Sequence, residues 1–192
     1  MRVRAGVLAL QGDFREHAAA LAQLGVETVL VRTPADLEGL QALVVPGGES
    51  TTLGALAERY HLLEPLRAAI AGGLPTLGTC AGMILLAGAT VGSPPQPQLG
   101  VLDVVVERNA FGRQVASFEA DLEVRGFDHP MRAVFIRAPW VRGTGPGVEV
   151  LAAVDGHPVM VRQGNLLGTS FHPELTGDLR IHRLLLDMAR ER

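Results

Sequence analysis

Short apolar runs alternate with longer stretches of helical spacing through the first half of this chain. Residues 3–10 form one such run, closed by Gln11-Gly12, the pattern of a strand covered on both faces. Phe14, Ala18, Leu21 and Leu24 then recur near a 3.6-residue period, predicting a helix over 13–24 that Gly25 ends. Glu27–Val31 predicts a second strand and residues 43–45 a third, stopped by Pro46-Gly47-Gly48. Residues 51–71 read as helix up to Gly72-Gly73, and residues 75–78 read as strand. This alternation predicts a parallel sheet with helices on both faces.

The pattern changes after about Val91. Residues 92–100 are a Pro- and Gln-rich loop. Strand-like runs follow at 101–107, 115–124, 133–136, 148–154, 158–162 and 166–171, with little helix between them. Gly156-His157 is the predicted turn of a hairpin. Residues 179–190 predict a closing amphipathic helix. The expected fold is α/β: a mostly parallel sheet flanked by helices, with a β-rich C-terminal half. A single domain over 1–192 is expected, with no repeat, no disordered linker and no second domain.

Composition narrows the function classes. The chain has 192 residues, enough for one full core. It is 47% hydrophobic and 19% charged, with a formal net charge of −3, which gives no electrostatic reason to expect nucleic acid or an anionic membrane as partner. No apolar run reaches membrane-spanning length. Met1-Arg2-Val3-Arg4 and the run after it resemble the start of a signal peptide. Residues 5–10 are too short for a secretory core, however, and Gln11, Asp13 and Arg15 interrupt the run, so a first strand is the better reading. One cysteine forms no internal disulfide, which suits a reducing, cytoplasmic setting.

That cysteine carries the candidate chemistry. It lies in Gly78-Thr79-Cys80-Ala81-Gly82, between Leu74 and Leu77 on one side and Met83-Ile84-Leu85-Leu86 on the other. Strand, sharp turn and helix in that order push a reactive side chain out at the carboxyl end of the strand. The positive end of the following helix favours a thiolate there. A thiol nucleophile needs a base, and the base needs an orienting group. Phe171-His172-Pro173-Glu174 offers both, directly after the strand at 166–170 and on the same sheet edge. His172 is the candidate base and Glu174 its orienting carboxylate, in the logic of a catalytic triad. The other histidines, His17, His61, His129, His157 and His182, have no matching partner in sequence and form no metal-ligand cluster.

Pro46-Gly47-Gly48-Glu49-Ser50-Thr51 ends a strand at the same edge. Its glycines let the backbone approach a ligand closely, and with the N–H of Ala81 they are a candidate oxyanion hole. An ordinary turn with Ser50 or Thr51 capping the next helix is compatible with that role. The loop lacks the Gly-Lys-Ser/Thr ending of a phosphate-binding loop. Arg108 and Arg137 each follow an apolar strand toward this edge, and arginine suits the carboxylate of an amino-acid substrate.

In order, these motifs resemble the class I (triad) glutamine amidotransferases. Within that superfamily the chain resembles the PdxT/SNO family, the glutaminase subunits of pyridoxal 5′-phosphate synthase. The matching segments are 6–12 with Arg15-Glu16-His17, 46–52, 104–109, 111–115, Ser117-Phe118-Glu119, 135–139 and 170–176; of these, the Arg108 and Arg137 segments with Gln11-Gly12 select this family. The resemblance implies a flavodoxin-like, class I glutamine amidotransferase fold, with no cofactor and no metal. It implies that Cys80 attacks the side-chain amide of L-glutamine, with His172 as base and Glu174 orienting it. Gly47, Gly48 and Ala81 stabilise the oxyanion, and Gly48, Glu49, Ser50, Arg108, Ile136 and Arg137 bind glutamine. It further implies delivery of ammonia to a barrel-fold synthase subunit of the PdxS/SNZ type in a large ring-shaped hetero-oligomer. Gln11, Gly12 and the first helix with His17 are then at the subunit contact. Three readings compete: a glutaminase subunit of another pathway, a cysteine hydrolase of the PfpI type, and a silent binding subunit.

Overall fold

The first apolar run becomes β1 (Arg4–Leu8), second from one edge of the main sheet, in a computed structural model describing residues 3–112 and 117–191. The elements that follow are α1 (Phe14–Gln23), β2 (Glu27–Val31), β3 (Ala42–Val45), α2 (Ser50–Arg59), α3 (Leu63–Ala71), β4 (Thr76–Thr79), α4 (Ala81–Leu86) and β5 (Ala87–Val91). The second half supplies β6 (Leu102–Glu107), β7 (Ser117–Leu122), β8 (Met131–Ile136), β9 (Trp140–Thr144), β10 (Glu149–Val154), β11 (His157–Gln163), β12 (Leu166–Thr169) and α5 (Arg180–Arg190). The main sheet has seven strands in the order β10-β11-β12-β4-β3-β1-β2. From β2 to β12 every pair is parallel, and β11 and β10 extend that edge antiparallel.

Register explains how the sheet divides the core. Val7 pairs with Val44, Val44 with Leu77, and Leu77 with Leu167. This row packs under α1 and α5, against Leu21, Ile181, Leu185, Phe135 and Phe171. The neighbouring positions Leu8, Leu43 and Val45 face the other way, toward α2, α3, α4 and β6. Each such side chain contributes about 1.5–3 kcal/mol when removed from water. Two smaller sheets flank this frame: β5-β6-β9 and the hairpin β7-β8. They deliver residues 108 and 137 to the carboxyl edge. Among the described residues, no helix is long and apolar enough to cross a membrane.

Four local expectations change. The helix expected over 51–71 is two helices, α2 and α3, separated at His61, whose φ is +56°. Pro65 gives the reason: it has no N–H to continue a helix from α2, but it is tolerated in the first turn of α3. The strands β5 and β9 had no counterpart in the expected pattern. The hairpin turn falls at Asp155-Gly156, both with left-handed φ (+49° and +80°), and His157 begins β11. The cap of α2 is Glu49, not Ser50 or Thr51, because its carboxylate reaches the N–H groups of Thr51 and Thr52. Met1, Arg2, Arg113-Gln114-Val115 and the start of the strand expected over 115–124 lie outside the described residues.

Candidate active site

Cys80 occupies the sharp turn between β4 and α4 with φ +51° and ψ −106°. A left-handed backbone at a non-glycine residue costs about 1–2 kcal/mol, so its surroundings must hold it there. They do: Cys80 N–H donates to the Thr169 carbonyl at 2.7 Å, and Ile84 N–H donates to the Cys80 carbonyl at 3.1 Å. Gly82 is required on the helix side, because a Cβ there would overlap the carbonyl oxygen of Val45. With only hydrogen at that position, α4 packs directly on the end of β3.

The partner groups come from the next strand. Thr169 at the end of β12 pairs with Thr79 at the end of β4, so the segment after β12 runs alongside the elbow. His172 is nearly buried, and its N–H donates to the Val134 carbonyl at 2.9 Å. Its Nδ1 lies 2.7 Å from Oε1 of Glu174 and 3.2 Å from Oδ2 of Asp13. Cys80 acts on the same ring and favours its charged form. Burial opposes a charge on His172, but Asp13, Cys80 and Glu174 outweigh it and raise its pKa to about 12. Burial raises the Glu174 carboxyl, against the pull of His172. The bond to His172 lowers the Asp13 carboxyl, with burial opposing it.

Asp13 is a site residue that sequence reasoning missed. It stands alone at the start of α1, with no motif to mark it. Asp13, His172 and Glu174 also bring ligand atoms within 4.8 Å of one another, a cluster that sequence reasoning did not foresee. Both carboxylates face the same Nδ1, so the arrangement is that of a hydrogen-bonded base.

His17, expected at a subunit contact, is fully buried and faces inward. Its Nδ1 lies 2.8 Å from Nε2 of His182, and its Nε2 lies 3.1 Å from Oγ1 of Thr79. His182, which showed no matching partner in sequence, is therefore paired, across 165 positions. Gln11 and Gly12 pack on the Gly47-Gly48 loop. Gln11 Oε1 accepts from the N–H of Glu49 at 3.0 Å, and the N–H of Asp13 donates to the Gly47 carbonyl at 3.1 Å. Gly12 has φ +79°, and a Cβ there would overlap that same carbonyl.

A cleft of about 470 Å³ opens over Cys80, lined by Asp13, Gly48, Glu49, Ser50, Ala81, Ile84, Arg108, Asn109, Ile136, Arg137 and His172. The structure thus brings the expected Gly48, Glu49, Ser50, Arg108, Ile136 and Arg137 together around one cavity. Ala81 opens α4, where an N–H has no intrahelical acceptor. Glu49 accepts from Thr51 N–H, Thr52 N–H and the Thr52 hydroxyl. Partial burial works against its charge, yet the bonds from Thr52 and Thr51 prevail and lower its pKa to about 2. Arg108 reaches Glu49 at 3.4 Å and Gln96 at 3.2 Å. Gln96 also accepts from the Ser50 hydroxyl at 3.2 Å. Gln96 sits in a loop that looked featureless in sequence, and no spacing signal could have found it.

A mostly parallel sheet flanked by helices matches the architecture of a solved glutamine amidotransferase. A crystal structure described as a glutamine amidotransferase superposes with TM-score 0.93 at 58% identity, over 97% of this chain and 98% of that one. The chain belongs to the SNO glutamine amidotransferase family, whose model matches residues 7–191. It is 63% identical to the pyridoxal 5′-phosphate synthase subunit PdxT of Parafrankia sp. (strain EAN1pec), over 97% of this chain and 93% of that protein. It is 60% identical to a protein of the same name from Thermus thermophilus, over 98% and 99%.

Proposed function

We propose that this chain hydrolyses L-glutamine and passes the ammonia to a synthase subunit that makes pyridoxal 5′-phosphate. The observation that carries the reading is His172, which lines the same cleft as Cys80 and has Glu174 Oε1 2.7 Å from its Nδ1. The Cys80 sulfur, its proton passed to His172, attacks the side-chain amide carbon of glutamine. The oxyanion is held by N–H groups of the Gly47-Gly48 loop and Ala81. The proton that His172 took from Cys80 passes to the leaving nitrogen, and the raised pKa of His172 favours holding it until then. A glutamyl thioester remains on Cys80. Water then attacks it, with His172 accepting the water proton, and glutamate leaves as the thiol re-forms. Gly48, Glu49, Ser50, Arg108, Ile136 and Arg137 bind the substrate's amino-acid end. Arginine matches its carboxylate in charge and shape.

The relatives named as pyridoxal 5′-phosphate synthase subunits support the pathway. Free ammonia is lost or protonated in water, so a glutaminase of this kind needs a docked acceptor. The acceptor is a barrel-fold PdxS/SNZ-type subunit in a ring-shaped hetero-oligomer. It docks on the surface formed by Gln11, Gly12 and the exposed side of α1. The test is glutamate release from L-glutamine with and without the synthase, for wild type and Cys80→Ala. Synthase-stimulated release that Cys80→Ala abolishes is expected. Full-rate release by the isolated chain, unchanged on adding the synthase, would overturn the partner dependence.

A further inference from the structure

Glu174 has two carboxylate oxygens, and the triad uses one. Oε1 takes His172 Nδ1 at 2.7 Å. Oε2 is buried with no hydrogen bond of good geometry, and His17 Nε2 stands 3.3 Å from it. Both side chains are 0% exposed. A carboxylate oxygen sealed from water is costly unless a donor faces it.

The proton inventory decides which way the histidines face. His17 Nδ1 and His182 Nε2 are 2.8 Å apart, so one of them donates. His182 Nδ1 is buried with no partner. If His17 Nδ1 carried the proton, His182 would have to carry its own on Nδ1, leaving a buried N–H with no acceptor. His17 Nε2 would then turn a lone pair toward Glu174. The opposite assignment leaves only a bare lone pair on His182 Nδ1, and buried acceptors without partners are tolerated better than buried donors.

We infer that His182 and His17 form a buried relay that positions Glu174: His182 Nε2–H donates to His17 Nδ1, and His17 Nε2–H is shared between Glu174 Oε2 and Thr79 Oγ1. The inference rests on the reading of Glu174 as the carboxylate that orients His172. Burial supports it, because a neutral ring offers one donor and one acceptor. Burial lowers His182 to about 4. It lowers His17 well below its usual value too, helped by electrostatic repulsion against a second charged imidazole nearby. The relay joins α5, α1 and the ends of β4 and β12. Thr79 precedes the nucleophile, so the same N–H steadies both arms of the site. Neither histidine touches the reacting atoms; both are positioning residues.

Long-range proton–nitrogen NMR on the full chain, labelled at histidine, reads the tautomers directly. Both rings are expected neutral and protonated at Nε2 between pH 6 and 8. A charged His182, or one protonated at Nδ1, at pH 7 would overturn the inference. Kinetics with the synthase present supply the second arm. His17→Leu should lower kcat about tenfold or more, with the KM for glutamine within twofold. His17→Gln, which keeps a terminal N–H donor, should restore most of that loss. A folded His17→Leu with wild-type kcat overturns the relay; should that variant not fold, the wild-type tautomers decide. Cys80→Ala separates the two readings. If it still releases glutamate, the triad reading fails. If it is inactive while His17→Leu and His182→Leu turn over normally, the relay alone fails.

Discussion

The two walls of the cleft are held by different forces. On one wall, Cys80, His172 and Glu174 hang from β4 and β12, adjacent parallel strands of the main sheet. That wall is nearly sealed, and close backbone approach and short hydrogen bonds hold it. On the other wall, Arg108, Asn109, Ile136 and Arg137 sit at the tips of β6 and β8, which belong to separate small sheets. Ile136 is 41% exposed there, and Asn109 and Arg137 have left-handed φ values of +49° and +44°. The Arg108 contacts are long, at 3.2–3.4 Å. Chemistry needs groups fixed before the substrate arrives, and a buried sheet edge supplies that. Recognition uses exposed, charged groups on loops, where a ligand completes the contacts.

If this contrast holds, damage to the first wall appears in kcat or in folding, and damage to the second in KM. The largest effect is expected for Glu174→Gln. It removes the charge that orients His172, and kcat measured with the synthase should fall on the order of 10³-fold, about 4 kcal/mol of barrier. A fall of less than tenfold would break the contrast. Next comes Gly82→Val, which forces a branched side chain against the Val45 carbonyl. It should cost roughly 3 kcal/mol and lower the thermal midpoint by about 10 °C, seen by calorimetry. Arg108→Ala should instead leave the midpoint within a degree or two. It should raise the KM for glutamine roughly tenfold or more, with kcat nearly unchanged. The smallest effect belongs to Glu49→Gln at the cap of α2. Glu49 has its pKa lowered to about 2, so its stabilisation is present above its unfolded value near 4.5 and is lost as pH falls toward 2. The variant should be less stable than wild type by under about 1 kcal/mol at pH 7, since the group is half exposed. Below about pH 2 the two melting curves should coincide.

The same contrast governs how much could be read from sequence. β1, β2, β3, β4 and β12 are short apolar runs bounded by glycine or proline, so the parallel frame was legible. The elbow at Cys80 was legible because strand, turn and helix follow one another without a gap. β5 was not, because the apolar run that forms α4 continues into Ala87 with no turn residue to mark the change. The break between α2 and α3 did have a signal, in Pro65. Asp13, Gln96 and His182 had none: each is one polar residue whose partner lies far away in sequence. Such pairs become visible only when the sheet brings α1 and α5 to the same face.

The neighbours β4 and β12 also set an order of events in the life of the chain. They pair across a long sequence separation, Leu77 against Leu167, and such contacts form late because the loop between them must first close. While a nascent chain has only its first four strands, β4 is an open edge with unpaired backbone groups, the kind of border that invites aggregation. The thiol at its tip then has neither His172 nor Glu174 beside it, since both follow β12. On the proposed triad, the strand that seals the vulnerable border is also the one that brings the base to the thiol, so a half-made molecule has an open edge but no activated nucleophile.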